Sequence, residues 1–325
     1  MGTRAEGTLK ISTFREDHIS EAAALFARSF QEQRLATPIL PDVMEDTGRV
    51  SAMLQRLIRA CPGVVALHDD RLIGYMGWFF VDDFRGTDRK GAYVPEWGHS
   101  CVEKGKAEIY RAMYRAAAEQ WAAASCQVHA VTLLAHDRAA EEVWFWNGFG
   151  LTVVDAVRPM RPLGVSYSID LHIRKATRDD AHALAELDAE HWTHYTRSPV
   201  FMPPHAGRDA AENVEFLSRS KNSIWLALDG DVPAGFIRYE GYDFDGVAIV
   251  ESDDAVAITG AYVRPAYRGR QVATALLDAA LRDYQARGLK SCAVNFESFN
   301  PEAASFWMKY FEPVCVSVMR VPETM

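Results

Sequence analysis

Long hydrophobic runs are missing from this 325-residue sequence. No stretch of about 18 consecutive apolar residues occurs, so the sequence predicts no membrane-spanning helix. The segment from Met1 to Lys10 is too polar for a secretory signal peptide. We therefore expect a cytoplasmic protein that has no membrane partner.

Cysteine is scarce as well. The five cysteines are an odd number, they are scattered, and no two of them form a Cys-x-x-Cys pair. Most of them lie inside apolar segments, which is typical of reduced thiols in a core. The sequence therefore predicts neither a disulfide framework nor a metal site on Cys61, Cys101, Cys126, Cys292 and Cys315.

Positive charge is in deficit. The chain has 35 Lys and Arg against 44 Asp and Glu, which leaves a formal net charge of -9 at pH 7. Such a balance repels a phosphate backbone unless a local basic patch overrides it. We therefore expect no nucleic-acid partner.

The remaining composition is that of an ordinary folded protein. Hydrophobic residues make up 49% and charged residues 24% of the chain, which excludes disordered, collagen-like and coiled-coil proteins. Since a domain has roughly 100–200 residues, the length predicts two domains, each able to bury its own core.

The two halves of the sequence repeat one plan. Four segments recur in the same order at an offset near 162 residues: Leu9–Asp17 with Leu171–Asp179, Thr37–Pro41 with Ser198–Pro203, Ala66–Met76 with Ala227–Ile237, and Asp137–Trp144 with Asn300–Trp307. We interpret this as two tandem domains, 1–163 and 164–325. Pro162, Gly164 and Ser166 interrupt the pattern before the second copy opens at Ile169.

The pattern of each copy predicts strand, helix, helix, three strands, helix, strand, helix and strand. In the second copy we predict a buried strand over Val256–Val263, a helix from Val272 that ends before Gly288, and a strand over Ser291–Phe296. This mixture indicates an α/β (α+β) fold in which helices cover both faces of a sheet.

One loop of the second copy carries an anion-binding pattern. Between the predicted strand and helix lies Arg264-Pro-Ala-Tyr-Arg-Gly-Arg-Gln-Val-Ala-Thr274. A tight turn at this point aims free backbone N–H groups and the helix dipole at one spot, and Arg264, Arg268 and Arg270 add positive charge. The pattern favours a pyrophosphate site, and the alternative is a solvated basic turn.

This loop resembles the acetyl-coenzyme A (acetyl-CoA) loop of the Gcn5-related N-acetyltransferase (GNAT) family. Arg268 and Ala273 match the two ends of the family's pattern, and Gln271 stands where the family usually has Gly. Asn300, Ala303 and Phe306 match its second signature. The resemblance implies tandem GNAT-like domains, each with a mixed, mostly antiparallel sheet and a splayed strand pair. It also implies coenzyme contacts at Tyr262, Val263, Arg264, Arg268, Gly269, Arg270, Gln271, Val272, Ala273, Thr274, Asn300 and Phe306.

The first copy keeps only part of this pattern. Ala140, Trp144, Gly148 and Phe149 resemble a second family signature, but the stretch Val102–Glu108 lacks the Arg-Gly-Arg core. It also places Glu103 and Glu108 where phosphates would have to approach. We therefore expect a degenerate domain that gives structural support or walls the acceptor pocket. A divergent second site on Lys104, Gly105 and Lys106 is the alternative.

The resemblance further implies direct attack of an amine on the thioester, with the pantetheine arm between the two splayed strands. A backbone N–H near Tyr262 or Val263 would then bind the carbonyl oxygen. Trp307 stands where the family commonly has a proton-donating Tyr, and an indole cannot supply a proton near neutral pH. Tyr310 is the substitute acid, with a core aromatic as the alternative.

The base is predicted by position alone. The strand Val256–Val263 contains no carboxylate. Glu297, at the end of the next strand, is the preferred base, whereas Glu251, Asp253 and Asp254 are more typical of a solvated hairpin.

The acceptor is expected to meet the aromatic loop His191–Pro203. Trp192, Tyr195 and Phe201 could wall an apolar or cationic group, or they could close the core or the seam with the first domain. His191, His194 and His205 lack a metal-ligand spacing, so we expect no metal and interpret them as satisfied or exposed histidines.

The leading hypothesis is an acetyl-CoA-dependent N-acetyltransferase, catalytic in its second domain, that acts on a primary amine of a small molecule or peptide. The alternatives are a coenzyme A (CoA) binding sensor or scaffold without turnover and, less favoured at this net charge, an aminoacyl-tRNA-dependent transferase. We expect a monomer or a homodimer.

Overall fold

The structure is a computed structural model that describes residues 9–166, 170–241 and 246–323. The chain divides into two compact units. The first unit comprises the described residues up to Val154, Val247–Ile249 and those from Pro313 on. The second unit comprises Asp155–Gly246 and Val250–Glu312.

The N-terminal half of the sequence alternates short strands with apolar-faced helices. In chain order its elements are β1 (Leu9–Thr13), α1 (Ile19–Ala36), α2 (Thr47–Ala60), β2 (Gly63–His68), β3 (Arg71–Gly77), β4 (Phe79–Val81), β5 (Gly91–Val94), β6 (His99–Cys101), α3 (Lys106–Ala123), β7 (Val128–Leu134), α4 (Arg138–Trp146) and β8 (Gly150–Pro159).

The C-terminal half repeats the predicted order of elements. Its elements are β9 (His172–Lys175), α5 (Ala181–Tyr195), α6 (Ala210–Ser218), β10 (Ser223–Asp229), β11 (Val232–Gly241), β12 (Ala255–Val263), α7 (Val272–Ala286), β13 (Ser291–Glu297), α8 (Pro301–Tyr310) and β14 (Glu312–Arg320).

Tight turns join two of the predicted hairpins. Asp69 and Asp70 have φ of 51° and 59° between β2 and β3, and Gly230 has φ of 57° between β10 and β11. Residues with positive φ are those that two-residue hairpin turns require. Both hairpins pair in antiparallel register, with Ala66 opposite Gly74 and Ala227 opposite Gly235.

The first unit holds a four-stranded sheet of order β1-β2-β3-β6 and the strand order β4-β5-β7-β14-β8. In the second unit the order is β8-β13-β12-β11-β10-β9. Most neighbouring strands run antiparallel, whereas β5 with β7 and β12 with β13 are parallel. The structure thus confirms a mixed α/β fold with mostly antiparallel strands.

A splayed strand pair dominates the second unit. β12 and β13 pair in parallel over four residues only, from Ala255 opposite Ser291 to Ile258 opposite Val294. Beyond this point β12 continues to Val263 and β13 to Glu297 without pairing to each other, while β12 stays paired with β11. A register shift between β11 and β12, at Arg238 and Tyr239, marks the same level of the sheet. A β-bulge of this kind bends its strand and re-aims its side chains.

The packing beside this splay is apolar. α5 and α6 cover one region of the second-unit sheet and close a core against β10, β11 and β12. Its buried members are Leu184, Leu187, Phe216, Ile224, Leu226, Leu228, Phe236 and Tyr262.

The compact units differ from the predicted boundary at residues 163 and 164. β8 passes into the second unit from Asp155 onward, and β14 belongs to the first unit from Pro313 onward. The apolar β14 pairs with β7, with Cys315 opposite Leu134, and this long-range pairing cannot be read from local sequence. The predicted opening of the second copy at Ile169 lies outside the described residues.

One local prediction is wrong. The segment His191–Tyr195 was expected in a loop, but it forms the last turn and a half of α5. The helix continues because its apolar face still packs inward, with His191 itself buried. Among the described residues, no helix combines the length and apolarity that a bilayer crossing requires.

Candidate active site

A cavity of about 710 Å³ opens where β12 and β13 diverge. Ile258 to Val263 form one wall and Val294 to Glu297 the other. The loop after β12, the start of α8 and the end of α5 complete the lining. Two strands that separate while they stay in one sheet leave a slot into which an extended chain fits between them.

The backbone of β12 presents N–H groups to this slot. The N–H of Arg264 donates to the carbonyl oxygen of Ala234 on β11, at 2.9 Å. Alternate residues of a strand direct their N–H groups to opposite sides, so those of Ala261 and Val263 face away from β11 and toward the slot. Of the two predicted oxyanion donors, Val263 therefore has the right orientation and Tyr262 does not.

The loop after β12 has the backbone of an anion site. Gly269 has φ of 73° and Gln271 has φ of 62°, immediately before α7 begins at Val272. The first N–H groups of a helix have no partner within the helix, and they carry its positive dipole end. Gln271 adopts the left-handed conformation that Gly would adopt at lower cost, so its presence does not remove the turn.

The three arginines of this loop differ in their contacts. Arg264 donates to Glu190 at 2.8 Å and to the carbonyl oxygen of Pro233 at 2.8 Å, and the pair with Glu190 raises the pKa of its guanidinium. It does not line the cavity. Its contacts instead hold the loop against α5 and β11.

Arg268 is the loop arginine that lines the cavity. Its Nε donates to the carbonyl oxygen of Val263 at 3.0 Å, and its Nη1 lies 2.8 Å from Glu302. Arg270 is exposed and lies over the Tyr267 ring at 5.3 Å. Among the predicted coenzyme contacts, Arg264 and Arg270 thus lie outside the cavity lining, and the others line it.

The α8 side of the cavity is built on a helix cap. The side chain of Asn300 accepts the N–H of Ala303 at 3.3 Å and is 4% exposed. Phe306 and Trp307 follow on the same helix and line the cavity. Asn is common at the N-cap of a helix because its side-chain oxygen accepts from a backbone N–H that the helix leaves unpaired.

The two predicted catalytic residues lie in different places. Glu297 lines the cavity at the end of β13. The Tyr310 hydroxyl lies 3.3 Å from that of Thr274, and Tyr310 is not part of the lining. Glu251, Asp253 and Asp254 are also outside it, and Asp254 instead pairs with Lys290 at 2.5 Å.

The end of α5 supplies an aromatic wall. His191, Trp192, His194 and Tyr195 line the cavity, and two of them, Trp192 and Tyr195, belong to the three aromatic residues considered for the acceptor wall. Phe201 is 71% exposed and does not line it. Burial lowers the pKa of His194, and Glu302, 3.7 Å from its Nε2, opposes that shift.

Sequence reasoning missed a buried charged cluster beneath this wall. Asp188 on α5 and Arg238 on β11 are both buried, and Arg238 Nη2 donates to Asp188 Oδ1 at 2.5 Å. The cluster could have been found by comparing the two copies, because the equivalent positions of the first copy carry no charge. In the described residues, no group of three or more His, Cys, Asp or Glu side chains could hold a metal ion.

The sequence model of the Acetyltransferase (GNAT) family matches residues 165–311, which contain every element of this cavity. This part of the chain belongs to the GNAT family. The GNAT domain therefore has an acetyltransferase fold, and its cavity lies where the two strands diverge.

Solved structures share the fold of the whole chain. A GCN5-related N-acetyltransferase from Sphaerobacter thermophilus is 12% identical, with a TM-score of 0.61, and the match covers 98% of this chain and 97% of that one. A GCN5-related glucosamine N-acetyltransferase region of a fungal multi-domain GH3 beta-N-acetylglucosaminidase is also 12% identical, with a TM-score of 0.56. That match covers 97% of this chain and 38% of the fungal chain. No curated protein matches this sequence.

Outside the GNAT domain, the equivalent loop of the first unit is short. Four residues, 102–105, connect β6 to α3, whereas eight residues, 264–271, connect β12 to α7. Gly105 retains the positive φ, at 77°, immediately before the helix. Lys106 then lies 2.6 Å from both Glu103 and Asp137. The predicted alternative site on Lys104, Gly105 and Lys106 thus has its buried ammonium already paired with two carboxylates.

Proposed function

We propose that this protein transfers an acetyl group from acetyl-CoA to a primary amine of a small molecule or peptide, in the cavity of its GNAT domain. The observation that carries this proposal is the slot between β12 and β13. It combines cleft-facing N–H groups, a left-handed turn at a helix N-terminus and a volume of about 710 Å³.

The residues of the slot fit a coenzyme with a pyrophosphate and an extended thioester arm. The N–H groups from Gly269 to Thr274 and the Arg268 guanidinium offer donors for a pyrophosphate. The N–H groups of Ala261 and Val263 face the slot, where β13 no longer pairs with β12. They can therefore donate to the extended arm in place of a neighbouring strand. Asn300 and Phe306 border the arm from α8.

Acetyl-CoA supplies an activated acyl group as its thioester. The amine nitrogen forms a bond to the carbonyl carbon, the carbon–sulfur bond breaks, and the CoA thiolate leaves. The N–H of Val263 is oriented to stabilise the oxyanion that develops during this attack. Holding amine and thioester together in one slot removes much of the entropic barrier.

The roles of the predicted base, Glu297, and the predicted acid, Tyr310, remain predictions. Glu297 lines the slot and is the base that the sequence predicts. Tyr310 reaches the first turn of α7 through Thr274 rather than the slot, so its role as the acid has less support. With Trp307 at the position where the resemblance implies a Tyr, the thiolate is expected to take its proton from water.

Thermal stability in the presence of acetyl-CoA or CoA tests the coenzyme assignment. A ligand that binds only the native state raises stability by RT ln(1 + [L]/Kd), so a micromolar site gives an increase of about 4 kcal/mol at millimolar ligand. The shift should disappear in Arg268→Glu combined with Gly269→Asp. The matched control is Lys104→Glu in the first-unit loop, where the shift should persist. Absence of any shift in the wild type would overturn the proposal.

A CoA-binding sensor without turnover is the second candidate, favoured by Trp307, which lines the slot and offers no transferable proton. A sensor would give the same thermal shift and no thiol release. Thiol release from acetyl-CoA, measured with a panel of primary amines, separates the two functions.

A further inference from the structure

The wall of the slot beneath α5 contains three buried polar side chains. Asp188 is 2% exposed, Arg238 is 6% exposed and His191 is 7% exposed. Burying charged groups costs several kcal/mol per ion even when they are paired. A core that only needed to be stable would use apolar residues here, so the cluster calls for another explanation.

The contacts within this cluster are ordered around one carboxylate. Asp188 Oδ1 accepts from Arg238 Nη2 at 2.5 Å, and Asp188 Oδ2 accepts from the backbone N–H of Arg208 at 2.7 Å. Nδ1 of His191 lies 3.7 Å from Asp188 Oδ1 and is buried without a hydrogen-bond partner. The carboxylate is therefore fixed, and it faces Nδ1.

The other ring nitrogen of His191 is directed differently. His191 lines the slot, and among the described residues its Nε2 makes no hydrogen bond. Unlike Nδ1, this atom is not fully buried. A carboxylate beside Nδ1 favours the tautomer with the proton on Nδ1. The lone pair then lies on Nε2, the nitrogen that is open to the slot.

The first unit provides an internal comparison. α1 and α5 begin 162 residues apart, at Ile19 and Ala181, so Phe26 and Ser29 stand where α5 has Asp188 and His191. Gly74 on β3 and Gly235 on β11 are equivalent, because each lies opposite the last residue of the next strand in the sheet, Cys101 of β6 or Val263 of β12. Counting on from these glycines, Gly77 stands where β11 has Arg238. All three polar residues are thus absent from the copy that lacks an open slot.

We propose that His191 is the general base that accepts the proton of the acceptor ammonium, and that Asp188, held by Arg238, is its positioning residue. This inference rests on the proposed acetyl transfer. The proton moves from the ammonium nitrogen to Nε2 of His191, which frees the nitrogen lone pair for attack. The imidazolium then returns its proton to water after the carbon–sulfur bond has broken. In the absence of substrate such catalytic contacts are often long, as the 3.7 Å separation is.

Several groups face His191 and define its environment. On α5 these are Asp188, Trp192 and Tyr195, with His194 close enough to interact electrostatically. β11 contributes Phe236 and, behind Asp188, Arg238, and β12 contributes Tyr262 at 5.9 Å between ring centroids. Glu297 is the competing base, because it lines the same slot from β13.

The tautomer can be measured without any acceptor. Protein labelled with ¹⁵N-histidine gives long-range proton–nitrogen NMR spectra in which a ring nitrogen that carries a proton is distinct from one that does not. The signals missing from the spectrum of His191→Gln are those of His191. We expect neutral His191 to carry its proton on Nδ1, and Asp188→Asn to weaken that preference. A proton on Nε2 in the wild type overturns the proposal, because that nitrogen could not accept another.

Kinetics tests the catalytic role with putrescine, tyramine, glucosamine and triglycine as probe amines. His191→Gln should lower kcat/KM for thiol release by at least 100-fold near pH 7. Because an unprotonated amine needs no base, the loss should shrink about tenfold for each pH unit toward the amine pKa. The matched control is His182→Gln, an exposed position on the same helix, which should change nothing.

The outcomes separate the base from the overall function. If acetyl-CoA gives no thermal shift in the wild type, the proposed function itself fails. If His191→Gln retains that shift but lowers kcat/KM equally at all pH values, or not at all, only the base assignment fails. The same holds if Glu297→Gln, and not His191→Gln, produces the pH-dependent loss.

Discussion

The two units contain equivalent strand pairs with opposite contents, since β5 and β6 together take the place of β12, and β7 takes the place of β13. β5 and β7 pair in parallel over four residues, from Gly91 opposite Val128 to Val94 opposite Val131. β12 and β13 do the same. In the second unit the strands then diverge around a cavity of about 710 Å³, whereas the cavity beside the first-unit strands measures about 10 Å³.

Side chains close the gap of the first unit. Nε2 of His99 on β6 donates to the carbonyl oxygen of Thr132 on β7 at 2.9 Å, and its Nδ1 accepts from the Tyr110 hydroxyl at 2.9 Å. By strand register Ala261 and Asn295 are the second-unit equivalents of His99 and Thr132. An imidazole thus bridges the strands where the second unit has only a methyl group.

A second bridge joins the helix ends of the first unit. Lys106, the first residue of α3, lies 2.6 Å from Asp137, the cap of α4. Val272 and Asn300 occupy the corresponding helix positions in the second unit and leave the slot open. The comparison indicates that side chains at these bridging positions occupy the gap of the first unit, whereas small or uncharged residues leave the slot of the second unit open.

Filling the open slot is expected to have the largest effect. Ala261→His places an imidazole where it can bond the carbonyl of Asn295, as His99 bonds that of Thr132. We expect acetyl-CoA binding to weaken by at least 100-fold, measured by calorimetry or thermal shift. Ala261→Ser is the size control and should retain binding. Binding that survives in Ala261→His would break the equivalence of the two gaps.

Removing the Lys106 ammonium from the first unit should cost about 3 kcal/mol of folding stability. Lys106→Val leaves the Asp137 carboxylate, 16% exposed, without its counter-ion. Urea unfolding measures the loss. Adding Asp137→Asn, which recreates the Val and Asn of the second unit and keeps the helix cap, should restore about half of it.

The control for the Lys106 experiment is Lys104→Val, at an exposed position of the same loop. It should change stability by no more than about 0.5 kcal/mol. A Lys106→Val variant as stable as this control would mean that the bridge between α3 and α4 does not support the first unit.

Acid should destabilise the first unit, because His129 is buried there in its neutral form. Burial lowers the pKa of this histidine to about 4 from its ordinary 6.5. Below pH 6.5 the unfolded chain therefore takes up a proton that the folded chain refuses, and stability falls until about pH 4. We expect a loss of about 2 kcal/mol across this window, after allowance for solvent screening.

Unfolding of the wild type and of His129→Gln at pH 7, 5.5 and 4.5 measures that loss. The variant should have a flatter dependence on pH, although buried His99, whose pKa burial also lowers, contributes in the same direction. Parallel curves for the two proteins would show that His129 takes up its proton in the folded state.

Exchanging the residues before α3 and α7 should give the smallest effect. Gln271 has φ of 62° and Gly105 has φ of 77° at this position. Gln271→Gly relieves a strained backbone and should stabilise the protein by about 0.5–1 kcal/mol, whereas Gly105→Gln should cost about 1 kcal/mol. Thermal unfolding of both variants measures these changes. Equal effects of the same sign would contradict the shared turn.

The repeat and its motifs made much of the fold predictable. Periodic apolar residues identified the helix from Val272 and the strand Val256–Val263 to within one residue of their observed starts, Val272 and Ala255. The motif around Arg268 and Asn300 predicted a site at the splay, and both residues line the cavity there. Both signals are local, since they depend on spacing within a few turns or strands.

The roles within the site were less predictable. Arg264 belongs to the matched loop, yet it pairs with Glu190 from a distant helix. Tyr310 lies one turn from Trp307, yet its hydroxyl meets Thr274 rather than the slot. The buried Asp188, Arg238 and His191 come from two elements about 50 residues apart, so no local pattern joins them.

The sequence by itself determined the duplicated plan, the element order of the second copy and the loop chemistry, because these follow from side-chain periodicity and local backbone preferences. The first copy departs from the predicted order, with five strands rather than three between α2 and α3. Only the tertiary structure decided which strands complete each unit, with β14 paired to β7. It also decided which gap stays open. Those outcomes depend on contacts between residues far apart in the chain, such as His99 with Thr132 and Lys106 with Asp137, which occupy the gap in the first unit.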